Sequence, residues 1–126
     1  MTAIATNNAP AAIGPYVQGV DLGSMIITSG QLPLNPETKA MLEDVAEQTT
    51  QSLNNALAIL EEAGLTASNI VKTTVFVKDL NQFTTINAAY DAFFTKHSAP
   101  FPARSCIEVA RLPMDAKVEI EVIAVR

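Results

Sequence analysis

The order of apolar and polar positions divides the chain into short strands and two helices. Val17–Leu22 and Met25–Gly30 are rich in β-forming residues, and the turn signal Gly23-Ser24 between them predicts a hairpin. The residues before the hairpin leave room for one more short strand, around Ala3–Thr6.

Two segments have the three- and four-residue spacing of amphipathic helices. Asp44 with Glu47 resembles a capping box at a helix start, and Gly64 lies where that helix should end. Asp79 with Gln82 repeats this start for a second helix that runs to about residue 97. The apolar stripe of the first helix is Val45, Leu53, Ala56, Leu57 and Leu60, and that of the second is Phe83, Ile86, Tyr90, Phe93 and Phe94.

Three further strands complete the pattern, at Ile70–Lys78, Ala103–Val109 and Lys117–Val125. In the first of them one face holds Val71, Thr73, Val75 and Val77, and the other holds Lys72, Thr74, Phe76 and Lys78. The order strand-strand-helix-strand-helix-strand-strand predicts an α+β fold with two helices across one face of a sheet.

Composition narrows the function classes. A length of 126 residues predicts one domain over positions 1–126. Charged residues are 17% of the chain, below the usual share of about 25%, so we expect another subunit to cover part of the surface. The net charge of −5 and the absence of a basic run argue against nucleic acid as a partner, because phosphate contacts supply most of that affinity.

Cysteine and histidine are scarce, which excludes several kinds of site. Cys106 has no second cysteine to pair with, and with His97 it falls short of the four ligands of a structural zinc site. His97 would also be the only base for a serine or cysteine hydrolase. No stretch approaches the roughly 20 apolar residues of a membrane span, and no leader precedes the first strand, so the cytoplasm is the expected location.

The strand after Pro-Phe-Pro contains the first candidate for chemistry, Arg104. Its stem could simply cover apolar surface at a sheet edge, or its guanidinium could be held rigidly to bind a carboxylate through two parallel hydrogen bonds. Cys106 faces the same side of that strand. A free cysteine is usually a small buried hydrophobe, and no His or Lys lies nearby in sequence to lower its pKa.

Four other positions leave a structural and a functional interpretation open. Glu119 and Glu121 share one side of the last strand with apolar residues, so a half-solvated carboxylate could hold or deprotonate a water, or both could be solvated. Asn87 falls inside the second apolar stripe, where its amide must bond backbone or face a polar pocket. Tyr16 follows a Gly-Pro turn and could line a pocket or simply pack.

Several segments together resemble one known family, RidA (also called YjgF), the reactive-intermediate imine deaminases. They are Ala11–Gln18, Thr28–Pro33, Val71–Leu80, Phe101–Cys106, Ala110–Pro113 and Val118–Glu121. The resemblance covers nearly the whole chain in the right order and is closest to the enzymatically active branch, because Arg104 is present. One departure is the segment Glu37–Met41, where the family commonly has a glycine-containing turn.

The resemblance implies a fold, an assembly and a reaction. The fold would be of the chorismate-mutase-like type, with a mostly antiparallel mixed sheet. Three subunits would form a central β-barrel with the helices outside and active sites between neighbours. The reaction would be hydrolysis of 2-aminoacrylate, 2-iminobutanoate and related imines to 2-keto acids and ammonia. These imines are released by pyridoxal-phosphate-dependent dehydratases, and the deaminase itself would need neither metal nor organic cofactor.

The resemblance also implies roles for individual residues. Arg104 would bind the substrate carboxylate, Glu119 would orient the attacking water, and the backbone carbonyl of Cys106 would accept a hydrogen bond from the imine nitrogen or the water. The remaining pocket positions would be Tyr16, Ser29, Gly30 and Asn87, with the first and last of them over the apolar end of the substrate.

A second hypothesis belongs to a different class of protein. Relatives in the family are described as ligand sensors, chaperone-like proteins and translation inhibitors, so the chain could be a non-catalytic trimer that binds small carboxylates or proteins. Glu119 separates the two hypotheses, because a binding module needs an anion clamp but no carboxylate to position water.

Overall fold

The computed structural model describes residues 1–126 and has six strands and two α-helices. In chain order these are β1 (Thr2–Ile4), β2 (Gly19–Asp21), β3 (Met25–Thr28), α1 (Val45–Glu62), β4 (Ile70–Val77), α2 (Phe83–Lys96), β5 (Ala103–Glu108) and β6 (Val118–Val125). The predicted order of elements is confirmed, and the short N-terminal strand is present as β1.

The six strands form one sheet in the order β1-β2-β3-β6-β4-β5. Every neighbouring pair is antiparallel except β4 and β5, which are parallel and are joined through α2. A parallel pair requires such a crossover, because a tight turn cannot return the chain in the same direction. Both helices pack on one face of the sheet, so the predicted α+β architecture with a mostly antiparallel mixed sheet is confirmed.

The first helix begins and ends at the predicted signals. The Asp44 carboxylate accepts a hydrogen bond from the backbone N–H of Glu47 at 2.9 Å, which satisfies a free N–H group of the first turn. Gly64 has a φ of 83°, and the Leu65 N–H bonds the Leu60 carbonyl at 3.0 Å. Gly64 thus ends the helix in the left-handed conformation that is common for a glycine just after a helix.

The second helix begins later than the sequence predicts. Asp79 caps a short 3-10 turn, Leu80–Gln82, by accepting from the N–H of Asn81 at 2.9 Å, and α2 itself starts at Phe83. The prediction that Phe83 belongs to the buried stripe is wrong. The residue is 39% exposed because it lies at the first turn of α2, beyond the edge of the core.

The core lies between the helices and one face of the sheet. β4 departs from the predicted alternation at its start, where a bulge lies between Ile70 and Lys72. The extra residue turns Ile70 into the core and leaves Val71 42% exposed, so the prediction that Val71 shares a face with Thr73 and Val75 is wrong. Neither α-helix combines the length with the hydrophobicity that a membrane-spanning helix requires.

The other face of the sheet has no helix on it. Glu119 and Glu121 project from this face, as the alternation in β6 predicts, since Val118 and Ile120 are buried on the helix side. Large apolar side chains on this face are also more than one-third exposed, namely Ile27, Ile107 and Val125. We call it the open face.

Candidate active site

A cavity of about 570 Å³ opens beside Glu119. Four of the predicted site residues line it, namely Tyr16, Ser29, Gly30 and Glu119. They come from the loop before β2, the end of β3 and the second residue of β6, so residues distant in sequence meet there because β3 and β6 are paired. We call this cavity the Glu119 pocket.

The Glu119 carboxylate lies directly against the backbone of Gly30. A Cβ atom built on Gly30 would lie 2.3 Å from Glu119 Oε1, so any side chain at residue 30 would displace the carboxylate, although the φ of Gly30 is not in the left-handed region. Glu119 forms no hydrogen bond or ion pair with any other group of the chain. The pocket therefore contains a half-buried carboxylate that has no partner in the protein.

The surroundings of Glu119 make its carboxyl group more basic than usual. Burial raises the pKa of the Glu119 carboxyl above its ordinary value, and the negative charge of Glu121 two positions along the same face raises it further. Both effects disfavour the charged form of a carboxylate. The group is thus suited to accept a proton from a water molecule in the pocket.

Ser29 and the following residues are held by backbone hydrogen bonds. Ser29 Oγ donates to the carbonyl of Val17 at 2.6 Å, and its N–H donates to the carbonyl of Gln18 at 2.9 Å. Two residues on, Gln31 and Ile120 exchange backbone hydrogen bonds at 2.7 and 3.1 Å. These bonds align the chain on both sides of Gly30 and fix its backbone against β6.

Arg104 lies in a second cluster, against α2. One guanidinium nitrogen, Nη1, donates to Asn87 Oδ1 at 2.7 Å. The guanidinium carbon is 4.8 Å from the ring centre of Tyr90 and 5.5 Å from that of Phe83, which is cation–π geometry. Tyr90 is in turn fixed by a 2.7 Å hydrogen bond between its hydroxyl and Thr73 Oγ1.

Arg104 differs from the other arginines in forming no ion pair with a carboxylate. Of the three arginines, Arg111 pairs with Asp115 at 2.8 Å and Arg126 pairs with Asp21 at 2.9 Å. Arg104 is partly buried and keeps donors free after its bond to the amide of residue 87. A half-buried guanidinium that the protein leaves without a counter-charge is suited to bind an anion from outside.

Cys106 lies two residues beyond Arg104 on the same strand face and packs against the core. Burial raises the pKa of the Cys106 thiol, and the positive charge of Arg104 offsets only part of that rise. The side chain is therefore a thiol at neutral pH, which disfavours it as a nucleophile. Its strand, β5, is at the sheet edge, so part of its backbone has no strand partner in the chain.

Arg104 and Glu119 lie on opposite faces of the sheet. Arg104 is in register with Thr73 of β4, which pairs with the buried Val122, so its side chain is on the helix side. Glu119 is in register with Phe76 on the open face. Within one chain the predicted site residues thus form two groups, Arg104 with Asn87 and Glu119 with the rest of its pocket.

Sequence reasoning missed three residues that shape these two groups. Tyr90 and Phe83 were assigned to the apolar stripe, although both rings face the guanidinium of Arg104. Gln18 was seen only as part of a motif, yet it is 5% exposed and its amide makes four hydrogen bonds. A glutamine inside an apolar run was the one signal that could have drawn attention to it.

No three His, Cys, Asp or Glu side chains lie close enough together to hold a metal ion.

The fold and both clusters define the class of protein. A family model described as Endoribonuclease L-PSP matches residues 6–126, and the chain belongs to this family, which is that of RidA and YjgF. The resemblance seen in the sequence motifs is thereby confirmed.

Particular members of the family are very similar to this chain. The 2-iminobutanoate/2-iminopropanoate deaminases of Salmonella typhimurium and Escherichia coli K12 are each 72% identical over 123 residues, which is 98% of this chain and 96% of each relative. The crystal structure of the Escherichia coli YjgF gene product superposes with a TM-score of 0.99 at 69% identity, covering 100% of this chain and 99% of that one. Escherichia coli TdcF, solved with bound serine, gives 0.98 at 56% identity, with coverage of 100% and 99%.

Proposed function

We propose that this protein is a hydrolytic deaminase of reactive enamine and imine intermediates, with 2-aminoacrylate and 2-iminobutanoate as substrates and 2-keto acids and ammonia as products. The similarity to two curated deaminases over almost the whole chain supports the reaction class. The observation that carries the proposal is a matched pair of unsatisfied charges. Arg104 is a guanidinium without a carboxylate, and Glu119 is a carboxylate without a donor.

Arg104 binds the carboxylate of the substrate in this proposal. Its planar fork can make two parallel hydrogen bonds to a carboxylate, a geometry that lysine cannot reproduce. Asn87 holds one end of the fork, and the rings of Tyr90 and Phe83 fix its plane, so the guanidinium is oriented before the substrate arrives. This gives Asn87 a positioning role toward Arg104 in addition to the substrate contact expected from the sequence.

Glu119 acts as the general base that activates the attacking water in this proposal. It removes a proton as the water oxygen attacks the carbon of the C=N bond, and the nitrogen takes up a proton as it becomes an amine. In the tetrahedral intermediate the proton held by Glu119 passes to the amine, the C–N bond breaks to release ammonia, and the hydroxyl group gives up its proton to leave the 2-keto acid. Since the imine is already electrophilic, orientation beside a positioned water is the main contribution that the protein has to make. The carbonyl of Cys106 would hold the nitrogen or the water, and its thiol would take no part.

The two groups of site residues would come together between subunits of a homotrimer. A single chain holds Arg104 and Glu119 on opposite faces of its sheet, so one chain's Arg104 cluster must meet the Glu119 pocket of its neighbour. The exposed apolar residues of the open face and the low charge content support such burial. Tyr16, Ser29 and Gly30 would complete the pocket around the substrate.

Subunit mixing tests the reaction and the shared site together. A threonine dehydratase supplies 2-iminobutanoate, and formation of 2-oxobutanoate is followed with and without the protein, in a buffer where spontaneous hydrolysis is slow. Arg104→Ala and Glu119→Gln should each be inactive. After unfolding and joint refolding of equal amounts, about one quarter of the sites would combine two native halves, so activity should return. Separate refolding of each variant is the control, and no recovery in the mixture would refute the shared site.

Carboxylate binding without catalysis is the second candidate. One observation favours it: the relative TdcF was solved with bound serine, an amino acid that is not an imine. A binding module needs Arg104 but gains nothing from a basic carboxylate at residue 119. If the wild-type protein binds 2-oxobutanoate in a calorimetric titration yet does not accelerate its formation, this second function replaces the first.

A further inference from the structure

The loop that forms one wall of the Glu119 pocket is hydrogen-bonded to the rest of the protein through one side chain, that of Gln18. Residues 7–15 lie outside any helix or strand, and Ala11, Ile13 and the adjoining Tyr16 face the cavity. The hydrogen bonds of residues 7–15 stay within positions 6–16, apart from those to the amide of Gln18. Without Gln18 the wall would have no hydrogen bond to the rest of the molecule.

Gln18 uses both ends of its amide group to hold this loop. Its Oε1 accepts from the N–H of Thr6 at 2.7 Å. Its Nε2 donates to the carbonyls of Thr6, Ala9 and Pro10 at 3.0, 3.2 and 2.8 Å. The residue is 5% exposed, so water cannot replace these bonds without entering the interior.

The backbone at Val17 and Gln18 is also hydrogen-bonded to Ser29, which lies on the opposite wall of the pocket. The carbonyl of Gln18 accepts from the N–H of Ser29, and the preceding carbonyl, of Val17, accepts from Ser29 Oγ. Ser29 leads directly to Gly30, against which the Glu119 carboxylate rests. One residue therefore connects the loop that carries Tyr16 to the strand end that seats the base.

We propose that Gln18 is a positioning residue for the deaminase site, which sets the distance between the Tyr16 wall and Glu119. This inference rests on the proposed function, because it assumes that the substrate occupies the Glu119 pocket. When the amide is removed, the Tyr16 wall moves away from the cavity, and the substrate loses contacts that it makes on binding. Affinity for substrate then falls more than the rate of the bound complex.

The test is Gln18→Met, which keeps the length and shape of the side chain but removes all four hydrogen bonds. A misplaced wall raises KM, whereas partial unfolding lowers the active fraction and therefore kcat alone. We expect kcat/KM for 2-iminobutanoate to fall by roughly 10- to 100-fold, mostly through KM. Hydrogen–deuterium exchange should rise in residues 6–16 and stay unchanged in α1 and α2.

Gln48→Met is the matched control. Gln48 is also buried, and its amide also links two backbone segments, donating to the Leu42 carbonyl at 2.7 Å and accepting from the Lys117 N–H at 2.8 Å. It does not line the Glu119 pocket. We expect a lower unfolding midpoint, an unchanged KM and no faster exchange in residues 6–16. An equal rise in KM for both variants would overturn the positioning role.

The outcomes separate this inference from the proposed function. If Gln18→Met frees residues 6–16 but keeps the wild-type KM, the positioning role is refuted while the site at Arg104 and Glu119 stands. If Arg104→Ala and Glu119→Gln both turn over at the wild-type rate, the proposed site fails and the role of Gln18 fails with it. If Gln18→Met leaves exchange unchanged, the hydrogen bonds do not hold the loop and the inference is wrong.

Discussion

Gly30→Ala should lower the catalytic rate sharply while leaving the fold nearly intact. The added Cβ would lie 2.3 Å from Glu119 Oε1, 3.0 Å from its Cδ and 3.3 Å from its Cγ, whereas ordinary contacts begin at 3.4 Å. The carboxylate must therefore move by about 1 Å, and a misplacement of that size can lower a rate by about 100-fold. Because the displaced atoms are the end of a flexible side chain, the variant should fold with little loss of stability.

The measurement pairs dehydratase-coupled kinetics with urea unfolding. Gly23→Ala serves as the opposite control, since Gly23 has a φ of 94° and no atom within 4 Å of an added Cβ. A left-handed alanine there should cost about 1–2 kcal/mol of stability and leave the kinetic constants unchanged. Gly30→Ala should show the reverse, with kcat/KM about 100-fold lower and a wild-type unfolding midpoint.

A double variant decides whether the effect of Gly30→Ala acts through Glu119. In a Glu119→Ala background the atoms that clash are gone, so adding Gly30→Ala should change the residual rate by less than about twofold. Wild-type kinetics for Gly30→Ala alone would refute the reasoning. So would a further large loss in the double variant, because residue 30 would then act on the reaction by another route.

Three other substitutions test the remaining parts of the site. Arg104→Lys should lower kcat/KM by at least about 30-fold, equivalent to about 2 kcal/mol for a lost bidentate contact, and Arg111→Lys should have no effect. Cys106→Ala should keep most of the activity, and an inactive but folded variant would show that the thiol reacts. Glu121→Gln should shift the acid limb of the kcat/KM profile to lower pH, because removing its charge lowers the pKa of Glu119, which acts in its ionised form in the proposed mechanism. An unmoved or opposite shift would mean that another group sets that limb.

The secondary structure was predictable because local chemistry determines it here. Asp44 and Gly64 mark the ends of the first helix through hydrogen bonds within a few residues, and both signals were confirmed. Two predictions failed because tertiary structure overrides the local pattern. A bulge in β4 exposes Val71, and Phe83 covers the guanidinium of Arg104 rather than entering the core.

The site was only partly predictable. The sequence motifs assign Arg104 and Glu119 to the candidate site, but strand alternation within each segment could not tell that the two face opposite sides of the sheet. That depends on the register of β4 with both of its neighbours, which is set by the whole sheet. The partners of Gln18 were equally hidden, since carbonyls 8 to 12 positions away carry no side-chain signal.

The position of Arg104 has a consequence for inhibition of the reaction by its 2-keto acid product. Asn87 and the ring of Tyr90 present the guanidinium to whatever carboxylate enters. In the proposed mechanism hydrolysis changes only the C=N end of the molecule, so the 2-keto acid would leave with the same carboxylate by which Arg104 bound its precursor. If Arg104 binds the substrate as proposed, the product competes with the substrate for the same guanidinium, and a downstream reaction that removes the 2-keto acid would keep the site free.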